Sequence, residues 1–206
     1  MPDSEPMRPV SFRAITVAML ATMLTAGNPA RSAGVTIVLD FQGPRSERSV
    51  QEMKREFEAI MKATGLAFEW RLRDDANLVT SNHLVVVRFK GKCVLEPVGY
   101  LYDERGPLAF TYSTDGVLQP YSEVACDKVT SSVRSAMFGG DFAKADELLG
   151  RALGRVLAHE LVHMLSKSGA HAKGGVEKAA LSGKLLIAPD LRLDAADLDR
   201  LHALVP

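Results

Sequence analysis

Apolar residues follow two spacings along the first half of the chain, and each spacing predicts a different element. Short, nearly continuous apolar runs at 35–41, 66–72 and 84–89 are typical of buried β-strands. Between the first two runs, positions 46–63 carry apolar residues three or four apart, which predicts an amphipathic helix that Gly65 ends. The first half therefore predicts a strand, a helix and two further strands.

The second half of the chain is dominated by helical spacing. Two short strands are predicted first, one at 108–112 that would form a sheet edge and one at 122–126. Helices are then predicted at 127–137, 145–168 and 195–204, the last one capped by Asp194. Strands followed by helices predict an α+β fold in which a small mixed β-sheet packs against helices.

The helix predicted at 145–168 has apolar residues around most of its circumference. A narrow strip of polar or small residues remains, formed by Arg151, Gly154, Arg155 and Ala158. We therefore expect this helix to be the buried central helix of the domain.

The first 33 residues have the layout of a secretory signal peptide. Positions 14–27 are uncharged, Arg8 and Arg13 precede them, and small residues follow at 30–33. This run is too short to span a bilayer, so we expect a soluble domain over 34–206 that is exported, periplasmic or secreted. The alternative for the N-terminal run is a buried helix.

Charge does not point to a nucleic acid or a membrane as the partner. The chain has 25 Lys and Arg against 25 Asp and Glu, so its formal net charge is zero. A protein that binds nucleic acid or an anionic membrane surface normally carries a basic patch. We therefore expect no nucleic-acid partner, and no membrane contact after signal cleavage.

Two cysteines, Cys93 and Cys126, fall in the part predicted to be exported. An oxidising compartment favours their pairing, and the chain-entropy model gives such a loop closure about 3–4 kcal/mol of stabilisation. We predict a structural disulfide. The alternative is two separate buried thiols.

An H-E-x-x-H motif, His159-Glu160-Leu161-Val162-His163, lies within the helix predicted at 145–168. On a helix the two imidazoles lie on one face, one turn apart, and can share one metal ion. Glu160 is rotated about 100° from His159 and can reach a water molecule rather than the metal. The motif therefore predicts a zinc site in which Glu160 handles protons.

Residues 156–165 resemble the extended signature of the zincin metallopeptidases, with a small apolar residue before the first histidine and uncharged neighbours. The resemblance implies a zincin-like fold, a Zn²⁺ cofactor and hydrolysis of a peptide or protein substrate. In that reaction zinc would acidify a water molecule and polarise the substrate carbonyl. Glu160 would accept the water proton and deliver it to the leaving amine.

The third zinc ligand depends on a modified spacing. In the metzincin branch the motif continues as H-E-x-x-H-x-x-G-x-x-H, whereas here the glycine and the third histidine come later, at Gly169 and His171. Gly169 is predicted to end the helix in a left-handed conformation, so that His171 returns to the metal. Glu177, resembling the glutamate ligand of gluzincins, is the alternative, and Asp190 is a further one.

Two metzincin features are missing from the chain. No methionine follows Met164, so the methionine-containing turn is absent, and no tyrosine follows Tyr121. The glycine-rich loop 169–176 resembles that of little-characterised exported bacterial proteins with the same motif. The first expectation is a zinc metallopeptidase, and the alternative is a catalytically inactive zinc-binding or protein-interaction domain on a zincin scaffold.

Overall fold

Five strands form one mixed β-sheet in the computed structural model, which describes residues 34–75, 83–96 and 106–203. The strands are β1 (Gly34–Phe41), β2 (Ala67–Leu72), β3 (His83–Lys90), β4 (Ala109–Thr114) and β5 (Val117–Ala125). Their order across the sheet is β2-β1-β3-β5-β4. The first four strands in this order run parallel, whereas β4 pairs antiparallel with β5 and forms an edge. The five predicted strands are confirmed, although β5 begins five residues before its predicted start at Ser122 and ends before Cys126, and within the described residues β4 has the predicted edge position.

Helices pack against this sheet and give the α+β class that the sequence predicts. Within the described residues the α-helices are α1 (Glu47–Met61), α2 (Cys126–Ala136), α3 (Ala145–Ser166), α4 (Gly183–Ile187) and α5 (Ala195–His202). Short 3-10 helices occupy Lys62–Thr64, Arg73–Asp75 and Gly139–Lys144. The helix α4 was not predicted, because its five residues are too few to show a helical repeat.

The ends of α1 and α5 follow from local chemistry. The Ser46 side chain accepts a hydrogen bond from the Ser49 N–H and caps α1, while the Asp194 side chain accepts from the Asp197 N–H and caps α5. Beyond α1 the chain reverses at Gly65, which has φ +70°. The predicted Asp194 cap and the predicted glycine stop are therefore confirmed.

Part of the polar and small-residue strip of α3 is buried where α3 packs on α1. Gly150 and Gly154 approach α1 so closely that a Cβ on Gly154 would lie 2.7 Å from the Met53 carbonyl oxygen. Arg155 is fully buried and bonds to Glu56 on α1 at 2.7 Å. Small residues and a paired guanidinium group permit close packing of the two helices, and the prediction that α3 is a buried central helix is confirmed.

The end of α3 also differs from its prediction. The helix stops at Ser166, and Lys167, with φ +52°, provides the left-handed residue. Gly169 does not have a positive φ. The Lys167 ammonium group donates to the Leu118 carbonyl at 3.2 Å, which ties this residue to β5. The left-handed C-cap predicted at Gly169 is therefore wrong, and the chain reverses two residues earlier.

Cys93 and Cys126 form the predicted disulfide, with Cα atoms 4.9 Å apart. The described residues belong to one unit within 31–206. The signal peptide predicted at 1–33 lies outside the described residues. Among the helices of the described part, none is long and apolar enough to cross a membrane.

Candidate metal centre

His159 and His163 lie one turn apart on α3 and turn their rings toward each other. Their Nε2 atoms are 3.1 Å apart and their ring centroids 4.7 Å apart. His163 is buried, and His159 is half-buried. The predicted placement of both imidazoles on one face of a helix is thus confirmed.

The Nδ1 atoms of both histidines are held by main-chain carbonyl groups. His159 Nδ1 donates to the Val176 oxygen at 2.9 Å, and His163 Nδ1 donates to the Ser168 oxygen at 2.7 Å. A carbonyl oxygen can only accept, so each Nδ1 carries the proton and each Nε2 keeps its lone pair. Both rings therefore present a ligating nitrogen to the same point.

The loop after α3 brings His171 to the pair. Its ring centroid lies 5.3 Å from that of His159 and 4.9 Å from that of His163. One ring nitrogen of each histidine can be chosen so that all three lie within 4.8 Å of one another. The loop is held by a hydrogen bond from the Ala172 N–H to the Glu177 carbonyl at 2.9 Å.

These three histidines fit a zinc ion by the chemistry of their donor atoms. Catalytic zinc sites have three protein ligands, with imidazole nitrogen among the preferred donors. Burial lowers the pKa of both His159 and His163, although their hydrogen bonds to main-chain carbonyls raise it in part. The neutral imidazole, which is the ligating form, is thereby favoured. The three side chains are positioned to hold a metal.

Glu160 lies beside the histidines and is oriented by the sheet. Its Oε2 accepts hydrogen bonds from Thr111 Oγ1 on β4 at 2.8 Å and from Ser122 Oγ on β5 at 3.3 Å. Burial raises the pKa of Glu160, and these hydrogen bonds together with His163 and His171 partly offset the increase. The carboxylate has a second oxygen, Oε1, for which the structure shows no hydrogen bond within the described part.

Glu177, the alternative third ligand, does not lie where a metal ligand would. Its carboxyl oxygens lie 3.5 Å from His159 Nδ1 and 3.6 Å from His163 Nδ1, away from the Nε2 atoms. Burial, with the charges of Asp197 and Glu160, raises the pKa of Glu177 to about 9. Asp190 is exposed and accepts a hydrogen bond from Arg192 at 3.0 Å. Neither carboxyl group belongs to the cluster of ring nitrogens.

A cavity of about 950 Å³ opens beside the three histidines. Residues 106–111, which include the start of β4, and residues 178–184, which lead into α4, both line it. Glu160 also lines this cavity. Its size is in the range of ligand-binding pockets, so a substrate could reach the histidines and Glu160 together.

The sequence did not reveal four groups that shape this site. They are the hydroxyls of Thr111 and Ser122 and the carbonyls of Ser168 and Val176. Hydroxyl side chains are common in strands, and every residue has a carbonyl group, so neither carries a sequence signal. Only the pairing of Thr111 with Ser122 across β4 and β5 makes the hydroxyl pair recognisable.

The fold is similar to that of a known structure. No protein-family model and no curated protein matches the chain. Archaemetzincin from Methanopyrus kandleri is 12% identical, with a TM-score of 0.51, over 84% of this chain and 96% of that one. At such low identity the likeness shows the fold alone. It confirms the predicted zincin-like α+β architecture.

Proposed function

We propose that this protein is an exported zinc-dependent peptidase that hydrolyses peptide bonds, with Glu160 as its general base. The observation that supports it most strongly is the convergence of three imidazole nitrogens within 4.8 Å, beside a buried carboxylate in one cavity. The archaemetzincin-like fold supports the same proposal. The ligands proposed for Zn²⁺ are His159, His163 and His171.

In the proposed reaction, bound zinc and Glu160 would have different roles. Bound zinc would supply a Lewis acid that polarises a carbonyl group and makes a water molecule more acidic. Glu160 would accept the proton of the attacking water at Oε1, since Oε2 already accepts from Thr111 and Ser122. The same carboxyl group would then deliver the proton to the leaving amine. Its raised pKa favours the first of these transfers.

The edge strand β4 offers a place for the substrate backbone. A peptide that adds to a sheet edge forms main-chain hydrogen bonds with the exposed strand. Residues 109–111 of β4 line the cavity, and Thr111 bonds to Glu160, so a peptide on this edge would lie over the base. The proposed substrate is therefore a peptide or protein in an extended conformation.

Export is supported by two features. The first 33 residues have the composition of a signal peptide, and Cys93 and Cys126 form a disulfide, as is typical of oxidising compartments. We therefore place the proposed activity in the periplasm or outside the cell. A nucleic-acid partner is not proposed, because the chain has zero net charge.

Metal analysis combined with digestion of a peptide library tests this proposal. The wild-type protein is expected to hold about one equivalent of zinc and to cleave peptides. Glu160→Gln should keep the zinc and lose at least about 100-fold in turnover, because its amide cannot accept a proton. Cleavage by this variant at the wild-type rate would exclude Glu160 as the base.

The third ligand is tested by a matched pair of histidine variants. His171→Ala is expected to lose zinc, since two imidazoles remain. His202→Ala is the control, because His202 bonds to the Ala63 carbonyl at 2.9 Å and is not part of the cluster. Unchanged zinc content in His171→Ala would remove His171 from the ligand set.

The alternative function is a catalytically inactive zinc-binding or protein-interaction domain on the same scaffold. It is favoured by the lack of a methionine after Met164 and of a tyrosine after Tyr121. One equivalent of zinc with no cleavage across the peptide library would support this alternative. Cleavage that Glu160→Gln abolishes would exclude it.

A further inference from the structure

Two lysines line the cavity beside the proposed zinc ligands. Among the described residues that line it, Lys178 and Lys184 are the positively charged ones and Glu160 is the negatively charged one. The rest of this lining consists of the three histidines and of uncharged residues, most of them apolar or small. Apart from the proposed base, the fixed charge of the cavity lining is therefore positive.

Neither lysine is neutralised by a described side chain. The ammonium groups of Lys178 and Lys184 form no ion pair and no hydrogen bond with any described residue. Lys90 on β3, in contrast, pairs with Glu123 at 2.9 Å. An unpaired charge in a cleft with apolar walls attracts an oppositely charged ligand more strongly than the same charge on an open surface.

The backbone places Lys178 beside the loop that carries a proposed zinc ligand. Lys178 pairs with Ala172 in an isolated parallel β-bridge, and Ala172 directly follows His171. The charge of Lys178 is therefore located at the side of the cavity where the proposed metal centre lies.

Lys184 belongs to a segment that packs on two helices. It lies in α4, where Gly183 approaches α2 so closely that a Cβ would clash with the Ser132 carbonyl oxygen. From α3, the Arg151 side chain donates to the Ile187 carbonyl at 2.9 Å. These contacts fix the backbone of α4 and keep Lys184 at the cavity.

Two further ammonium groups lie next to residues that line the cavity. Lys167 donates to the Leu118 carbonyl at 3.2 Å, and a Cβ on Gly106 would lie 2.8 Å from the Lys128 ammonium nitrogen. Both Leu118 and Gly106 line the cavity. Basic groups are therefore concentrated here, although the whole chain has zero net charge.

We propose that the cavity selects peptides that present a carboxylate group near the cleaved bond, with Lys178 and Lys184 as the specificity-determining residues. This inference rests on the proposed peptidase function and names its substrate class. A lysine ammonium group binds a carboxylate through charge-assisted hydrogen bonds. The carboxylate belongs either to an Asp or Glu side chain or to the free C-terminus of the peptide.

Cleavage of matched peptides tests this selection and distinguishes the two sources. One pair of peptides differs by Asp against Asn, and a second pair by a free C-terminal carboxylate against an amide. For at least one pair, we expect wild-type kcat/KM to be about 5–20-fold higher for the charged member. The preference should decrease as salt is added, because ions screen exposed charges.

A double lysine variant assigns the preference to the two residues. In Lys178→Gln/Lys184→Gln the ratio of kcat/KM between the members of a pair should fall to about one, because the attracting charges are removed. Lys62→Gln/Lys144→Gln removes the same net charge from two exposed lysines that do not line the cavity, and it should keep the wild-type ratio. A wild-type ratio within about twofold of one for both pairs overturns the inference and leaves the proposed function standing, as does an unchanged ratio in Lys178→Gln/Lys184→Gln.

Peptide binding provides a readout that does not depend on turnover. The Glu160→Gln variant, alone and combined with the lysine substitutions, is titrated with fluorescent forms of the same peptides. The charged member should bind about 5–20-fold more tightly, and replacing both lysines should remove the difference. Equal affinities for both members of each pair overturn the inference. If the wild type cleaves no peptide while this binding preference is present, the proposed function is wrong and the selection of carboxylates is supported.

Discussion

The orientation of Glu160 is decided by two hydroxyl groups on neighbouring strands. Thr111 on β4 and Ser122 on β5 face each other in the antiparallel ladder, and both donate to the same carboxylate oxygen. Both strands belong to the sheet, whereas Glu160 belongs to α3. The sheet therefore holds one oxygen of this carboxylate, in a side chain that lines the cavity.

Removing the Thr111 hydroxyl should reduce turnover without removing zinc. A hydrogen bond to a charged group contributes about 1.5–3 kcal/mol, and Ser122 still donates in Thr111→Val. We expect kcat for peptide cleavage to fall about tenfold, with KM and zinc content unchanged. Thr111→Ser retains the hydroxyl and should restore kcat. A wild-type kcat in Thr111→Val would contradict this role.

Asp40 on β1 should make the fold sensitive to acid. Burial raises the pKa of Asp40, but hydrogen bonds from Arg88 and Gln42 and the charge of Arg73 outweigh it, so the pKa lies below its ordinary value of 3.8. This ionised carboxylate stabilises the fold above that value, and its contribution is lost as pH falls through the lowered pKa.

The Asp40→Asn variant tests this contribution by urea unfolding. At pH 7 its free energy of unfolding should be about 1–3 kcal/mol lower than that of wild type. The difference should shrink as the pH is lowered below about 4, because protonation removes the wild-type charge. A difference that stays constant with pH would show that the charge of Asp40 does not stabilise the fold.

At the scale of elements, the close contact between α1 and α3 determines the position of the candidate metal centre. Gly150 and Gly154 allow α3 to approach the backbone of α1, and the Arg155–Glu56 ion pair joins the same two helices. His159 and His163 follow Gly154 on α3 by about one and a half and two and a half turns. The packing of these helices therefore decides how far the imidazoles project toward the cavity.

Gly154→Ala should separate the two helices and destabilise the protein. A Cβ at this position would lie 2.7 Å from the Met53 carbonyl oxygen and 2.9 Å from Glu56 Cβ, so the backbones must move apart. We expect a loss of about 1–3 kcal/mol in the free energy of unfolding, measured by chemical denaturation.

Gly174→Ala is the matched control for this substitution. A Cβ added at Gly174 would meet no atom within 4 Å, and this glycine does not have a positive φ. Its effect on stability should be within about 0.5 kcal/mol. An equal loss of unfolding free energy in both glycine variants would show that the effect of Gly154→Ala does not come from the contact between α1 and α3.

At the scale of the whole molecule, the disulfide joins segments that are distant in sequence. Cys93 follows β3 and Cys126 begins α2, and the two cysteines are 33 positions apart. Closing a loop of this length stabilises the folded state by about 3–4 kcal/mol in the chain-entropy model. The bond connects the end of a central strand to a helix that forms part of the cavity wall.

The double variant Cys93→Ala/Cys126→Ala should lose about 3–4 kcal/mol of unfolding free energy. Reduction of the wild-type protein should lower its denaturation midpoint in the same direction. The comparison is made by urea unfolding with and without a reductant. A midpoint that does not respond to reduction would show that the bond contributes no net stability.

Local spacing was enough to predict most elements of the fold. The strands and the helices α1, α2, α3 and α5 came from apolar periodicity, which reflects whether a side chain faces the interior. The end of α3 was predicted wrongly, because a contact between residues distant in sequence determines the backbone conformation there. The left-handed residue after α3 is Lys167 rather than the predicted Gly169, and Lys167 donates to the Leu118 carbonyl on β5.

By itself, the sequence determined that two imidazoles lie one turn apart on a buried helix with a carboxylate between them. This follows from the repeat of the α-helix, which relates residues that are close along the chain. Tertiary structure decided that His171, rather than Glu177 or Asp190, joins their ring nitrogens, and it alone decided that Thr111 and Ser122 orient Glu160. These groups lie on separate loops and strands, and only the packing of the sheet, α1 and α3 brings them together.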